Sequence, residues 1–189
     1  MENKFKQIFI PTVVLTAIGL IVAILLGLTN LITKDRIAAL ESKNEAIAIS
    51  KVIEGETAPA KVEHSGSEHT YYIARKDGKT VGYAFKTSAN GYGGTVKVIV
   101  GINLNGTISG IEITDTSSET PGLGQNVAKD DFTAQFKEKD KNLSVVKQNP
   151  NSDEIKAVTG ATISSKAVTN AVNSALELYK AVTKGGAAN

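Results

Sequence analysis

Between Thr159 and Ser165 the chain reads TGATISS, and four of these seven residues carry hydroxyls. A hydroxyl is a poor nucleophile until a neighbouring base or a metal activates it. No His, Cys or carboxylate stands beside this run, so the segment offers acceptor oxygens and no built-in base. The residues that follow, SSKAVTNAVNSALELYKAV, place Val168, Val172, Ala175, Leu176, Tyr179 and Val182 on one face of a helix. Ser164 or Ser165 is the expected N-cap, with Thr162 just before it. An anionic group at Thr162 would meet free backbone N–H groups and the positive end of the helix dipole. Gly160 and Ala161 leave room for a bulky ligand to approach the backbone. A capped helix after a tight turn, with no ligand, fits the same residues.

Two more segments carry residues suited to a binding loop. SSETPGLGQNV, residues 117–127, has Pro121 holding Thr120 extended, while Gly122 and Gly124 permit an unusual turn. Such a loop can bring backbone N–H groups and the Thr120 hydroxyl beside a planar ring, with Leu123 in the same turn. Glu119 either accepts a hydrogen bond from that ring or anchors the loop. The run GYGGTVKVIV starts at Gly91, and Tyr92 either stacks on a ring or enters the core.

Other chemistries are excluded by composition. The chain has 189 residues and no Cys, which removes thiolate catalysis, Cys-ligated clusters and disulfides together. His64 and His69 stand in a polar run that reads as a solvated loop, and no metal site is expected. With 21 Lys+Arg against 19 Asp+Glu there is no basic field for nucleic acid.

The elements that position these segments follow from periodicity. Ile8 to Thr29 contains no ionisable residue over 22 positions. As a helix it is ~33 Å long at ~1.5 Å per residue, close to the ~30 Å thickness of bilayer hydrocarbon. Pro11 falls in its first turns, where a missing N–H costs little. Residues 1–32 are therefore expected to be an uncleaved transmembrane anchor. Lysines on both sides leave its orientation open. Residues 33–69 are expected to be an amphipathic stalk and linker, and 185–189 a flexible tail. From 70 to 184 the pattern is α+β. Asp77-Gly78 and Asn105-Gly106 mark hairpin turns between alternating strands. NVAKDDFTAQFKEK reads as a short helix with Val127, Phe132 and Phe136 inward, and LSVVK and EIKAVTG as short strands.

The motif TGATISSKAV resembles the [S/T]-G-A-T-x-[S/T]-[S/T] signature of FMN-binding-domain proteins. SSETPGLG resembles the E-T-P-G-L-G signature of the same family, and GYGG its glycine-rich run before paired strands. The resemblance covers Gly91 to about Val182. It implies FMN esterified through its phosphate to Thr162, attached by a separate flavin transferase that takes FMN from FAD. Thr159, Gly160, Ala161, Ser164, Ser165, Glu119, Thr120, Gly122, Leu123, Gly91 and Tyr92 would surround it. Many relatives carry His before the Glu; Ser118 stands there here. The anchor-plus-stalk plan is similar to one branch, the G subunits of Rnf electron-transport complexes and the C subunits of sodium-translocating NADH:quinone reductases. The Rnf type fits the chain length better. That implies a single-pass electron carrier, its globular domain outside the cytoplasm, with flavin-bearing and iron–sulfur-bearing membrane subunits as partners and no catalysis alone. A cofactor-free membrane-anchored binding module is the rival reading.

Overall fold

The computed structural model describes residues 2–185. The chain divides into two units, Met1–Lys43 and Asn44–Asn189. The first is the apolar part of α1 (Glu2–Val52). Leu15, Leu20, Ile24 and Leu28 are all exposed on it, and no described residue covers them. Among the described residues this is the helix long and apolar enough to cross a membrane. Because α1 starts at Glu2, Pro11 is its tenth residue and lies inside the helix, past the orphan N–H groups of the first turn. Its missing N–H leaves one i→i−4 bond unmade, a gap tolerated in helices that span a bilayer.

The second unit is built on a five-stranded antiparallel meander in the order β1-β2-β3-β4-β5. The strands are β1 (Glu56–His64), β2 (Ser67–Lys76), β3 (Lys79–Asn90), β4 (Thr95–Asn103) and β5 (Ile108–Asp115). Asp77 and Gly78 both take left-handed backbone, φ 53° and 74°, so the β2–β3 turn is the type that matches strand twist. Ser65 and Gly66 do the same between β1 and β2. The stretch expected to be linker is therefore corrected: residues 56–64 pair along their length with β2. Pro59 made that stretch read as a loop, but β1 is an edge strand, where a residue without an N–H is tolerated.

Each face of the sheet packs on a helix. Val96, Val98, Val100 and Ile102 of β4 and Phe85 of β3 are buried against α3 (Thr162–Gly185), through Val168, Val172, Ala175 and Leu176. The opposite face carries small residues: Ala74, Ala84 and Gly101 are buried beside Ile99. Ala48, Ile49, Val52 and Ile53, the last turn of α1 and the residue after it, settle on this bare face. A side chain at Gly101 would run into the Val52 carbonyl. Ser109 donates to that same carbonyl, and Lys51 pairs with Glu112 at 2.5 Å.

The expected short helix after Gln125 is broken into a 3-10 turn (Gly124–Ala128), a one-turn α2 (Asp130–Thr133) and a second 3-10 turn (Ala134–Phe136). It still buries Val127, Phe132 and Phe136 as read. A parallel pair, β6 (Ser144–Val146) and β7 (Glu154–Lys156), completes the α+β unit and leads straight into the hydroxyl-rich run. The 185–189 tail lies outside the described residues except for the backbone of Gly185.

One tyrosine in this unit gives a pH test. The Tyr72 hydroxyl donates to Glu45 at 2.7 Å, and burial, then that bond and the nearby carboxylate charge, push its pKa from 10.0 up to about 12. The folded state thus holds this proton more tightly than the unfolded chain does. Its contribution to stability is full below pH ~10 and is lost as pH rises toward ~12. Chemical denaturation across pH 9–12 should show falling stability, with a shallower fall in Tyr72→Phe.

Candidate functional site

Gly160 starts the site. Its φ of +77° turns the chain sharply, and an added Cβ would sit 2.8 Å from Leu123 Cδ1. Helix α3 begins two residues later, at Thr162 itself. The expected serine cap is thereby corrected. Ala161 occupies the cap position: its C=O accepts the first helical bond, from Ser165 N–H at 2.9 Å. The amides of Thr162, Ile163 and Ser164 precede that bond, as in the first turn of any helix.

Both serines lie inside the helix and are bound within the protein. Ser165 Oγ donates to Ala161 C=O at 2.9 Å and accepts Val158 N–H at 3.0 Å, bracing the turn from both sides. Ser164 Oγ donates to Glu119 Oε2 at 2.6 Å. Glu119 is buried, and its other oxygen accepts Gly93 N–H at 3.1 Å. Both Glu119 carboxylate oxygens are thus engaged within the protein, one by the glycine run and one by α3.

A cleft of about 530 Å³ opens at the start of α3. Thr162, Gly160, Ala161 and Ser164 form one wall, and Glu119, Thr120 and Leu123 the other. Tyr92 closes one side; it is 73% exposed, which settles its placement outside the core. The PGLG turn is held by its own bonds: Thr120 C=O accepts Leu123 N–H and Gln125 N–H, and Asn126 Nδ2 donates to Gly122 C=O. Gly122 has φ +74° and stays out of the cleft lining, so its part is backbone shape. Gly91 is also outside the lining; a side chain there would strike the Glu119 carboxylate. Thr159 faces a neighbouring depression with Lys129, Gln135 and Lys156. Ser165 is fully buried beneath the turn.

Sequence reasoning did not single out Ile163 or Gly93. Ile163 lines the cleft at 53% exposure. Its signal was available, since it is the apolar residue out of phase with the buried face of α3. Gly93 is the donor to Glu119, and nothing local marks it among its neighbouring glycines.

The cleft combines three apolar side chains at its mouth, Tyr92, Leu123 and Ile163, with a hydroxyl and unbonded amides at a helix start. That is a surface for a flat apolar ring carrying an anionic tail. None of its lining residues is Lys or Arg. A free phosphate monoester bears about −1.5 to −2 charges at neutral pH, and only the helix end would oppose them. A diester carries one. The residues fit FMN.

The comparisons agree with this geometry. The FMN-binding domain model matches residues 91–177. Over 97% of both chains, the sequence is 37% identical to the G subunit of the Na(+)-translocating ferredoxin:NAD(+) oxidoreductase complex of Acetobacterium woodii. It is 42% identical to the G subunit of the proton-translocating ferredoxin:NAD(+) oxidoreductase complex of Clostridium ljungdahlii, over 61% of this chain and 62% of that one. Among solved structures, the C subunit of a Na(+)-translocating NADH-quinone reductase from Parabacteroides distasonis superposes with TM-score 0.54 at 23% identity, covering 71% of this chain and 80% of that chain. That likeness establishes the shared fold. The chain therefore belongs to the FMN-binding-domain family, in the branch formed by the G subunits of ion-translocating ferredoxin:NAD(+) oxidoreductase complexes.

Proposed function

We propose that this chain is the membrane-anchored electron-carrying subunit of an Rnf-type complex, holding FMN as a phosphoester on Thr162. The observation that carries the reading is the place of one hydroxyl. Thr162 opens α3 at the wall of the cleft, while the serines beside it are buried and bonded within the protein.

The chain's residues have distinct tasks. Thr162 would hold FMN through a phosphoester from its Oγ1, made by a transferase that breaks the pyrophosphate of FAD, with AMP as leaving group and the hydroxyl proton passing to that enzyme's base. The acceptor therefore needs reach, not activation, which accounts for the absence of His or Cys. The first amides of α3 would face the remaining phosphate charge. Gly160 and Ala161 keep the approach clear. Tyr92, Leu123 and Ile163 offer the ring an apolar seat, and Thr120 a hydroxyl at its edge. When bound, FMN supplies hydride and one-electron transfer, and the protein supplies attachment and orientation.

A covalent tether makes retention independent of free FMN, which otherwise enters through mass action. That matters most for a domain outside the cytoplasm, where we place residues 44–185. The α1 anchor keeps the flavin at high effective concentration near flavin-bearing and iron–sulfur-bearing partner subunits. The other expectation, membership among the C subunits of sodium-translocating NADH:quinone reductases, has only the fold in its support.

Intact mass spectrometry of the full chain, co-expressed with a flavin transferase and purified in detergent, tests the reading. The expected mass is the polypeptide plus one FMN less one water. A mass equal to the bare polypeptide, with the transferase shown active on another acceptor, would favour the cofactor-free binding module.

A further inference from the structure

Glu119 is 2% exposed, yet it belongs to a loop whose next four residues are all exposed. Its carboxylate is enclosed by three segments far apart in the chain. Oε1 accepts Gly93 N–H at 3.1 Å, and Oε2 accepts the Ser164 hydroxyl at 2.6 Å. Gly91 and Gly124 press on it so closely that a Cβ at either would clash with its oxygens. A Cβ on Gly93 would strike the Ser118 carbonyl, and one on Gly94 would sit 2.6 Å from Ser118 Cβ. The glycine run thus lies flat on residues 118–119; Gly91 N–H closes its turn on Gly94 C=O at 2.7 Å, and the Glu119 side chain ties that turn to the loop.

Tyr92 stands between Gly91 and Gly93, and is the most exposed large apolar side chain in the second unit. Glycine neighbours leave a residue's backbone free to move. The bond from Gly93 to Glu119 and the contact at Gly91 remove that freedom on both sides. We propose that Glu119 is a positioning residue. Through Gly93 it fixes Tyr92 over the cleft, and through Ser164 it locks that loop to the turn bearing Thr162, so that loop and acceptor move as one piece. The consequence for FMN rests on the reading above. A phenol held on the ring quenches its fluorescence, the electron passing from phenol to excited ring and back with no net change.

The test uses the full chain co-expressed with transferase and purified in detergent, with native flavin fluorescence normalised to flavin counted after denaturation. Tyr92→Ala and Glu119→Ala should each brighten the flavin several-fold. The double variant should be no brighter than Tyr92→Ala, because one effect acts through the other. Glu119→Gln should stay near wild type: its carbonyl accepts from Gly93, and its amide donates to the Ser164 oxygen. Equal brightness of Glu119→Ala and wild type, or additive brightening in the double variant, overturns the proposal. Amide exchange across residues 91–94 reads the same pin without any flavin. It should accelerate in Glu119→Ala and stay slow in Glu119→Gln; equal exchange in all three chains overturns the pin. Should Glu119→Ala fail to fold, Ser164→Ala cuts the bridge from the helix side. Its loop exchange must then rise, and wild-type exchange there overturns the proposal. A missing flavin band in wild type would refute the ester and leave the exchange result standing by itself.

Discussion

Thr162→Ala is expected to remove all in-gel flavin fluorescence and to return the intact mass to that of the polypeptide. The argument is one of access. Ser164 and Ser165 stand two and three residues away, but both are buried and their hydroxyls are engaged within the protein. Thr159 is exposed but belongs to the adjoining depression. No other hydroxyl of this turn can take over, and Thr120 stands on the loop across the cleft, away from the start of α3. The fold should be indifferent to the change. Thr162 is half-buried in the first turn of α3, where Ala is a good helix former, so the stability cost should be within about 0.5 kcal/mol. Adding free FMN should not restore the yellow protein, because the cleft lining contains no cation for a doubly charged phosphate. Flavin retained at wild-type mass in Thr162→Ala would place the acceptor elsewhere and undo the assignment.

Phe85→Ala is expected to be the most damaging single truncation of the core. Phe85 is fully buried on β3, stacked on Tyr71 with ring centroids 5.5 Å apart and tilted to Tyr83 at 6.3 Å. Truncating a buried Phe costs about 3–5 kcal/mol, a cavity cost included, against a total stability of roughly 5–15 kcal/mol for a domain. At ~2–4 °C per kcal/mol for a unit of this size, the melting midpoint should fall by about 10 °C. Near-ultraviolet circular dichroism reads this, since Tyr71 and Tyr83 flank the site. A fall of under ~3 °C would show that the α3 face of the sheet is not what holds the unit together.

The two substitutions divide the molecule along the line between local and distant information. The apolar run from Ile8 to Thr29, the Asp77-Gly78 turn and the inward face of α3 were legible because each rests on residues within a few positions of one another. Thr162, the proposed acceptor, is singled out by the resemblance of its motif. Other features were misread for a physical reason. Ser164 and Ser165 look like helix caps by type, but a cap is defined by where the backbone turns. Gly160, with its left-handed φ, moved that turn upstream. Residues 56–64 look like a loop by composition, but an unused sheet edge recruits them, and Pro59 is harmless there.

What the sequence determined by itself was the set of parts: an apolar span, paired strands, a helix behind a reachable hydroxyl, and no group able to activate it. What the tertiary structure decided was which parts meet. Glu119 reaches Ser164 across 45 positions and Gly93 across 26, and the last turn of α1 finds the face left bare by Ala74, Ala84 and Gly101. Such contacts depend on shape and burial summed over the whole sheet, and no window of neighbouring residues contains them.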